Sequence, residues 1–444
     1  MPWTLASFPA SILNHIPTKK GIPRFNLIRK DSKFVELEPL KFRVTKYLER
    51  IKNGHPLKGK PIPKDAIELW SNDYLCLSGH PKIVEAQLGV LRASEDDIYM
   101  SAAFLTENSY QRMVEGKLAS FVRAEDAVLC QSGWCANVGL IQTLADKMTP
   151  VYIDIYAHAS LWEGASSANA PTHPFAHNDV DSLAAQIKRH GPGVIVVDAI
   201  YSGDGSICPL REVAGIATRT GSILVVDESH SVGTYGPEGR GMVAALGLAD
   251  AVHYRSFSLS KAFAIRAGVV TGSSRVMDFF RYESRPAIFS SAVLPHEVAG
   301  LETTLEVIRE ADDRRRQLFR NAAFLRESLA RLGYNVESSE SQIIALEAGP
   351  EWRTMQLRDA LESQGIFGAV FCAPATPKNR SLIRFSVNTS LSEQQLQRIV
   401  EVCASIRKGV SLDQWPSTLR KARRRGARTP DQVFGLAESA AGAN

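Results

Sequence analysis

Along most of this chain, short apolar runs rich in β-branched residues alternate with longer stretches whose apolar positions recur at helical spacing. AVLC, VYIDI, VIVVD, ILVV, VHYRSFSL and the GVV that begins at Gly268 read as strands. KIVEAQLGVLRAS, MVEGKLASFVRA, DVDSLAAQIKRHG and LREVAGIATRTG read as helices between them. Unbroken runs such as VIVV and ILVV suit strands buried on both faces, so the alternation predicts an α/β fold with a mostly parallel sheet flanked by helices. Ligands of such sheets sit beyond the carboxyl ends of the strands. His158, Ser202, Asp227, His230 and Lys261 all fall just past those ends.

The pattern changes after residue 300. One long charged helix is predicted over VIREADDRRRQLFRNAAFLRESLARLG, then strands at YNVES and QIIALEAG, a helix at WRTMQLRDALESQG, a strand at SLIRFSVN and a closing helix at LSEQQLQRIVEVCASIRKG. The expected organisation is an N-terminal segment 1–66 with a helix around KFRVTKYLERIKNG, a large domain 67–300, a small α+β domain 301–410 and a basic, mobile tail 411–444.

Composition narrows the class. A chain of 444 residues exceeds one simple core. The hydrophobic fraction of 44% and charged fraction of 22% suit a globular enzyme. The tail holds six Arg or Lys against three Asp or Glu, more than half of a net charge of only +5. That is no nucleic-acid-binding profile. The six cysteines form no CxxC pair, as in a reducing compartment. No signal peptide is read at MPWTLASFPASILNHIPTKK, and no run approaches a membrane span, so a cytoplasmic protein is expected. GHPLKGKP mimics a phosphate-binding loop up to Lys60, but Pro61 stands where a Ser or Thr hydroxyl is needed and no strand precedes it. Without such a loop, VVDESH is not a helicase box.

The chemistry centres on SFSLSKAFAIRAG. Lys261 lies on a short connector between two strand-like runs, and Asp227 ends another, with His230 three residues on. An amine able to form a Schiff base and a carboxylate able to hold a heterocyclic nitrogen protonated are what pyridoxal phosphate asks of its protein. His158 is then expected on the ring face, and His230 and Ser202 near the ring hydroxyl. The turn before GWCANVGLIQTLA offers the amides of Gly133, Trp134 and Cys135 to the phosphate, with the hydroxyls of Ser258 and Ser260. Arg384, in IRFSVN, is the candidate for a substrate carboxylate.

VDESHSVGTYGPEGRG together with SFSLSKAF resembles the α-oxoamine synthase family, fold-type-I pyridoxal enzymes that condense an amino acid with an acyl-CoA. QSGWCANVGL, AHASLWEGA, RHGPGVIVVDAIYS, IFSSAVLP and VFCAPAT resemble a narrower branch, the α-hydroxyketone autoinducer synthases of quorum sensing. The resemblance spans roughly residues 65–408. It implies site roles for Asn72, His158, Ser202, Asp227, His230, Lys261 and Arg384. It also implies a homodimer in which Ser290 or Ser291, in IFSSAVLP, reaches the neighbour's cofactor phosphate. The chain departs from the wider family in two places: DDIYMSAAFLTENSY stands where a Gly/Ser/Arg-rich loop is usual, and Ala264–Gly268 where a glycine-rich run follows the lysine.

The resulting expectation is a pyridoxal-phosphate acyltransferase. It joins acyl-CoA to a small amino acid or S-adenosylmethionine with loss of carbon dioxide, giving an α-aminoketone precursor of a diffusible signal. The alternatives are a biosynthetic α-oxoamine synthase of the 8-amino-7-oxononanoate or 2-amino-3-ketobutyrate type, and a silent pyridoxal-binding regulator that uses its basic tail on DNA. In the apolar run that replaces the usual loop, Tyr99, Met100 and Phe104 are candidates to line an acyl channel.

Overall fold

The structure, a computed structural model, describes residues 37–52, 54–93 and 100–419. The described residues divide into two compact units, with the boundary between His55 and Pro56. In the first, the predicted helix is present as Glu38–Arg50, opened by proline in its first turn.

Among the described residues, the second unit carries every strand: β1 (Ile67–Leu69), β2 (Asp126–Cys130), β3 (Val151–Asp154), β4 (Thr172–Phe175), β5 (Val194–Asp198), β6 (Ile223–Asp227), β7 (Tyr254–Ser258), β8 (Gly268–Gly272), β9 (Ile343–Gly349), β10 (Ile366–Phe371) and β11 (Ser381–Ser386). β2 to β8 build one sheet in the order β2-β8-β7-β6-β5-β3-β4. Its neighbours run parallel from β7 to β4, and only β8 is antiparallel to both strands beside it. Val194 to Val197 and Leu224 to Val226 are fully buried, and each such side chain contributes about 1.5–3 kcal/mol of burial. Helices cover both faces. Ser132 and Asp179 cap the helices Gly133–Leu144 and Val180–His190 with their side chains, and Gly221 closes Leu210–Thr220 at φ 67.

The other sheet has the order β1-β10-β11-β9, with β1 parallel to β10 and the remaining pairs antiparallel. This differs from the expected division at 300/301. β1 lies in the first expected domain but pairs with the second, and the helix Pro295–Arg309 runs through the expected boundary. The single long helix after residue 300 is two helices, Pro295–Arg309 and Asp312–Arg331, broken at Glu310 and Ala311. YNVES makes no strand, whereas IFGAVF makes β10, which its glycine and short apolar run did not announce.

Part of the segment expected as tail, within residues 411–419, is packed. Trp415, 1% exposed, stacks edge-on against Tyr334 and donates from Nε1 to Val410 O at 2.9 Å. Ser417 Oγ donates to Glu347 O on β9. The expectation for 420–444 lies outside the described residues. Among the described residues, no helix is long and apolar enough to cross a membrane.

Candidate active site

Lys261 sits on the connector from β7 to β8. Leu259 N donates to Ala267 O at 2.9 Å, and Ala264 N to Lys261 O at 2.9 Å. Ala264 holds φ 54, a left-handed conformation that costs a non-glycine residue on the order of 1 kcal/mol. The turn that presents the lysine is therefore imposed by its surroundings. Gly233 is one reason it fits: at φ 90, a Cβ there would lie 2.6 Å from the Cβ of Ala262. Burial pushes the Lys261 amine down to about 8, against the opposing pull of the Asp227 and Asp198 carboxylates. Arg384 pushes it the same way as burial.

Asp227 ends β6 and is 3% exposed. Its Oδ2 accepts from Asn137 Nδ2 at 2.7 Å and its Oδ1 from Ser229 N at 2.8 Å. Two N–H donors fix the orientation of the carboxylate. Asn137, on the helix Gly133–Leu144, also donates to Ser160 Oγ at 2.8 Å, while its Oδ1 accepts from Ser256 on β7. This buried amide ties the end of β6 to β7 and to the helix Ala159–Ser167.

His158 caps the helix Ala159–Ser167. Its Nδ1 lies 2.7 Å from Ser160 Oγ, and its backbone N donates to Asp198 Oδ2 at 2.9 Å. The ring meets Trp134 edge-on, with centroids 6.3 Å apart. Burial holds His158 below the ordinary histidine range, with Asp227 opposing. His230 is buried, and its Nδ1 lies 2.7 Å from Tyr74 Oη. Burial, then the nearby Lys261, pushes it well below the ordinary range, so it is neutral.

At the mouth of the helix Gly133–Leu144, a Cβ on residue 133 would stand 2.6 Å from the Cβ of Ser258, so only glycine lets the helix start close in against β7. The Gly133 and Trp134 amides have no partner among the described residues. Cys135 departs from expectation: its N–H donates to Ser132 Oγ at 3.2 Å, because the capping serine reaches the third helical amide. Ser258 Oγ accepts from Ser260 N at 3.4 Å.

Arg384, 4% exposed on β11, donates from Nη2 to Asn72 Oδ1 at 2.8 Å and from Nη1 to Ser202 O at 2.9 Å. Ser202 thus meets the site through its carbonyl as well as its position. The guanidinium lies 4.7 Å over the Phe371 ring, and its buried Nε is without a partner. Ser290 Oγ has two acceptors within reach of its one hydrogen, Gln131 Oε1 at 2.9 Å and Pro286 O, both in its own chain, and Ser291 is exposed. Met100 and Phe104 are 75% and 63% exposed; neither is core, and Tyr99 lies outside the described residues.

Sequence reasoning missed Asn137, Ser229, Tyr74 and Asp198. Asp198 alone carried a readable signal, since it ends VIVVD as Asp227 ends ILVVD. The others are found only by their contacts.

Residues 64–402 match the model of aminotransferase class I and II. The chain is 46% identical to a CAI-1 autoinducer synthase of Vibrio campbellii, over 82% of this chain and 93% of that protein. It is 29% identical to 8-amino-7-oxononanoate synthase 1 of Bacillus velezensis, over 86% of this chain and all (100%) of that protein. Among solved structures, SPT with a PLP internal aldimine superimposes with a TM-score of 0.78 at 26% identity, covering 85% of this chain and 100% of that one. The lysine on its strand connector, the doubly held carboxylate and these relationships agree: the chain belongs to the aminotransferase class I and II family, among its pyridoxal-phosphate-dependent α-oxoamine synthases.

Proposed function

We propose that this chain condenses an acyl-CoA with a small amino acid or S-adenosylmethionine, releasing CoA and carbon dioxide to leave an α-aminoketone precursor of an α-hydroxyketone signal. The carrying observation is that buried Lys261 lies close enough to Asp227 and to Arg384, a buried arginine with a spare N–H, for both to act on its charge. The 46% identity to a CAI-1 autoinducer synthase supports the signal-making branch over the biosynthetic ones.

The residues present fit pyridoxal phosphate. Free amides at Gly133 and Trp134, on a helix start that any side chain at 133 would force away from Ser258, suit a phosphate. A carboxylate held in place by the N–H groups of Asn137 and Ser229 suits a protonated ring nitrogen. Bound there, the cofactor supplies an electron-withdrawing ring that stabilises negative charge on the substrate α-carbon.

The chain's own residues do the rest in this reading. Lys261 holds the cofactor through its amine and moves a proton at the α-carbon; an amine shifted to about 8 exchanges protons readily near neutral pH. Asp227 keeps the ring nitrogen protonated. His158 would lie against the ring face, and neutral His230 and Ser202 would stand near the ring hydroxyl. Ser258 and Ser260 join the Gly133 turn at the phosphate, with Cys135 as a neighbour whose amide is already capped. Arg384 takes the substrate carboxylate through its free Nε, with Asn72 fixing the fork. Met100 and Phe104 present apolar surface that an acyl chain would cover, with Tyr99 beside them in sequence. The active species is a cytoplasmic homodimer in which Ser290 or Ser291 reaches the neighbour's phosphate site.

The test is mass spectrometry of products from a panel of amino acids and S-adenosylmethionine crossed with acetyl- to decanoyl-CoA. An acyl-dependent product lacking the substrate carboxyl group supports the reading. Turnover confined to one short thioester would return the enzyme to the biosynthetic α-oxoamine synthases.

A further inference from the structure

Asp198 and Asp227 are register partners at the ends of adjacent parallel strands, β5 and β6. Register partners point their side chains to the same face, about 4.8 Å apart. Both carboxyl groups are buried, at 2% and 3% exposure. Ser256 on β7 continues the row, paired in register with Asp227. Two carboxylates this close in a dry site do not both ionise freely; the one with fewer donors keeps the proton.

The donors are unequal. Asp227 accepts from Asn137 Nδ2 and Ser229 N, whereas the one hydrogen bond made to Asp198 among the described residues comes from His158 N at 2.9 Å. The charged groups facing Asp198 are Asp227 on β6, Lys261 on the β7–β8 connector and Asp154 on β3. Burial, then Asp227, pushes the Asp198 carboxyl well above the usual range; His158 N–H and Lys261 oppose this, and Asp154 adds to it.

We propose that Asp198 is a positioning residue that works as a neutral acid: it anchors the backbone of His158 and adds no negative charge on the face it shares with Asp227. Ionisation of Asp198 would place a second negative charge against Asp227 and compete for Lys261. The neutral form avoids this while its oxygen still receives the His158 amide. The consequence for catalysis rests on the functional reading above, but the protonation state does not.

The test is infrared spectroscopy of the holoenzyme at neutral pH, where a protonated carboxyl group absorbs apart from the amide bands. Wild type should show a protonated-carboxyl band that is missing in Asp198→Asn and retained in Asp227→Asn. For turnover, Asp198→Ala should lose about tenfold or more, since it removes the acceptor that holds the His158 amide. Asp198→Asn, a neutral group of the same shape, should restore the greater part of that loss. An unchanged band in Asp198→Asn, or an Asn variant as damaged as the Ala variant, overturns the proposal. If Asp227→Asn turns over normally while the Asp198 band behaves as stated, the functional reading fails and the carboxyl assignment stands.

Discussion

Arg384 Nη2 meets Asn72 Oδ1 at 2.8 Å across 312 residues of sequence. Arg384 belongs to β11, and Asn72 follows β1, so the arrangement of the smaller sheet brings them together. With Ser202 O on Nη1, two of the guanidinium's nitrogens are spoken for and Nε is left free. An arginine buried to this degree has been desolvated for a partner.

Replacing Arg384 by lysine keeps the charge and loses the planar fork. KM for the amino acid should rise by at least about tenfold, with a smaller change in KM for acyl-CoA. Steady-state kinetics with each substrate varied in turn will read this. An equal rise in both constants would remove Arg384 from the amino-acid site.

Lys261→Ala should abolish both turnover and the borohydride-reducible link to pyridoxal phosphate. Peptide mapping of the reduced wild-type enzyme locates the modified lysine. Modification of any other lysine contradicts the assignment.

Asp227→Asn keeps a hydrogen-bonding shape but cannot hold a pyridinium proton by charge. Turnover should fall by about 10²-fold or more while the cofactor remains bound. Absorbance of the bound cofactor alongside kcat separates the two effects, and near-normal kcat would exclude Asp227 from the mechanism.

The pH dependence follows from the lysine. Its amine, at about 8 against an ordinary 10.5, binds fewer protons when folded than when unfolded over that interval. Stability contributed by this group therefore rises with pH from about 8 to 10.5 and is flat below. Only the neutral amine is a nucleophile, so the rate at which cofactor-stripped enzyme captures pyridoxal phosphate should climb through about pH 8. Asp227 holds the amine up, so the midpoint should move to lower pH in Asp227→Asn. Stopped-flow absorbance across pH checks both, and a rate without a midpoint below 9.5 would contradict the roughly two-unit depression.

The acyl group probes the apolar stretch. Each covered methylene is worth ~0.8 kcal/mol, so kcat/KM should grow with chain length from acetyl- to decanoyl-CoA, and Met100→Ala or Phe104→Ala should flatten the slope. A flat wild-type series would dissociate this stretch from the substrate.

What the sequence determined by itself is what depends on local order. The buried strands declare themselves by unbroken β-branched runs, and the helices by their spacing. Lys261 and Asp227 were legible because strand ends can be counted along the chain, and ligands of such sheets gather there. The tertiary structure decided what depends on distant segments meeting. That β1 pairs with β10, that Arg384 finds Asn72 and that Asn137 clamps Asp227 are matters of register and packing. None of these leaves a periodicity in the sequence. The helix break at Glu310 and the packing of Trp415 against Tyr334 belong to the same class. A polar side chain shows its type in a sequence, but its partner, its burial and therefore its protonation exist only once the chain is folded.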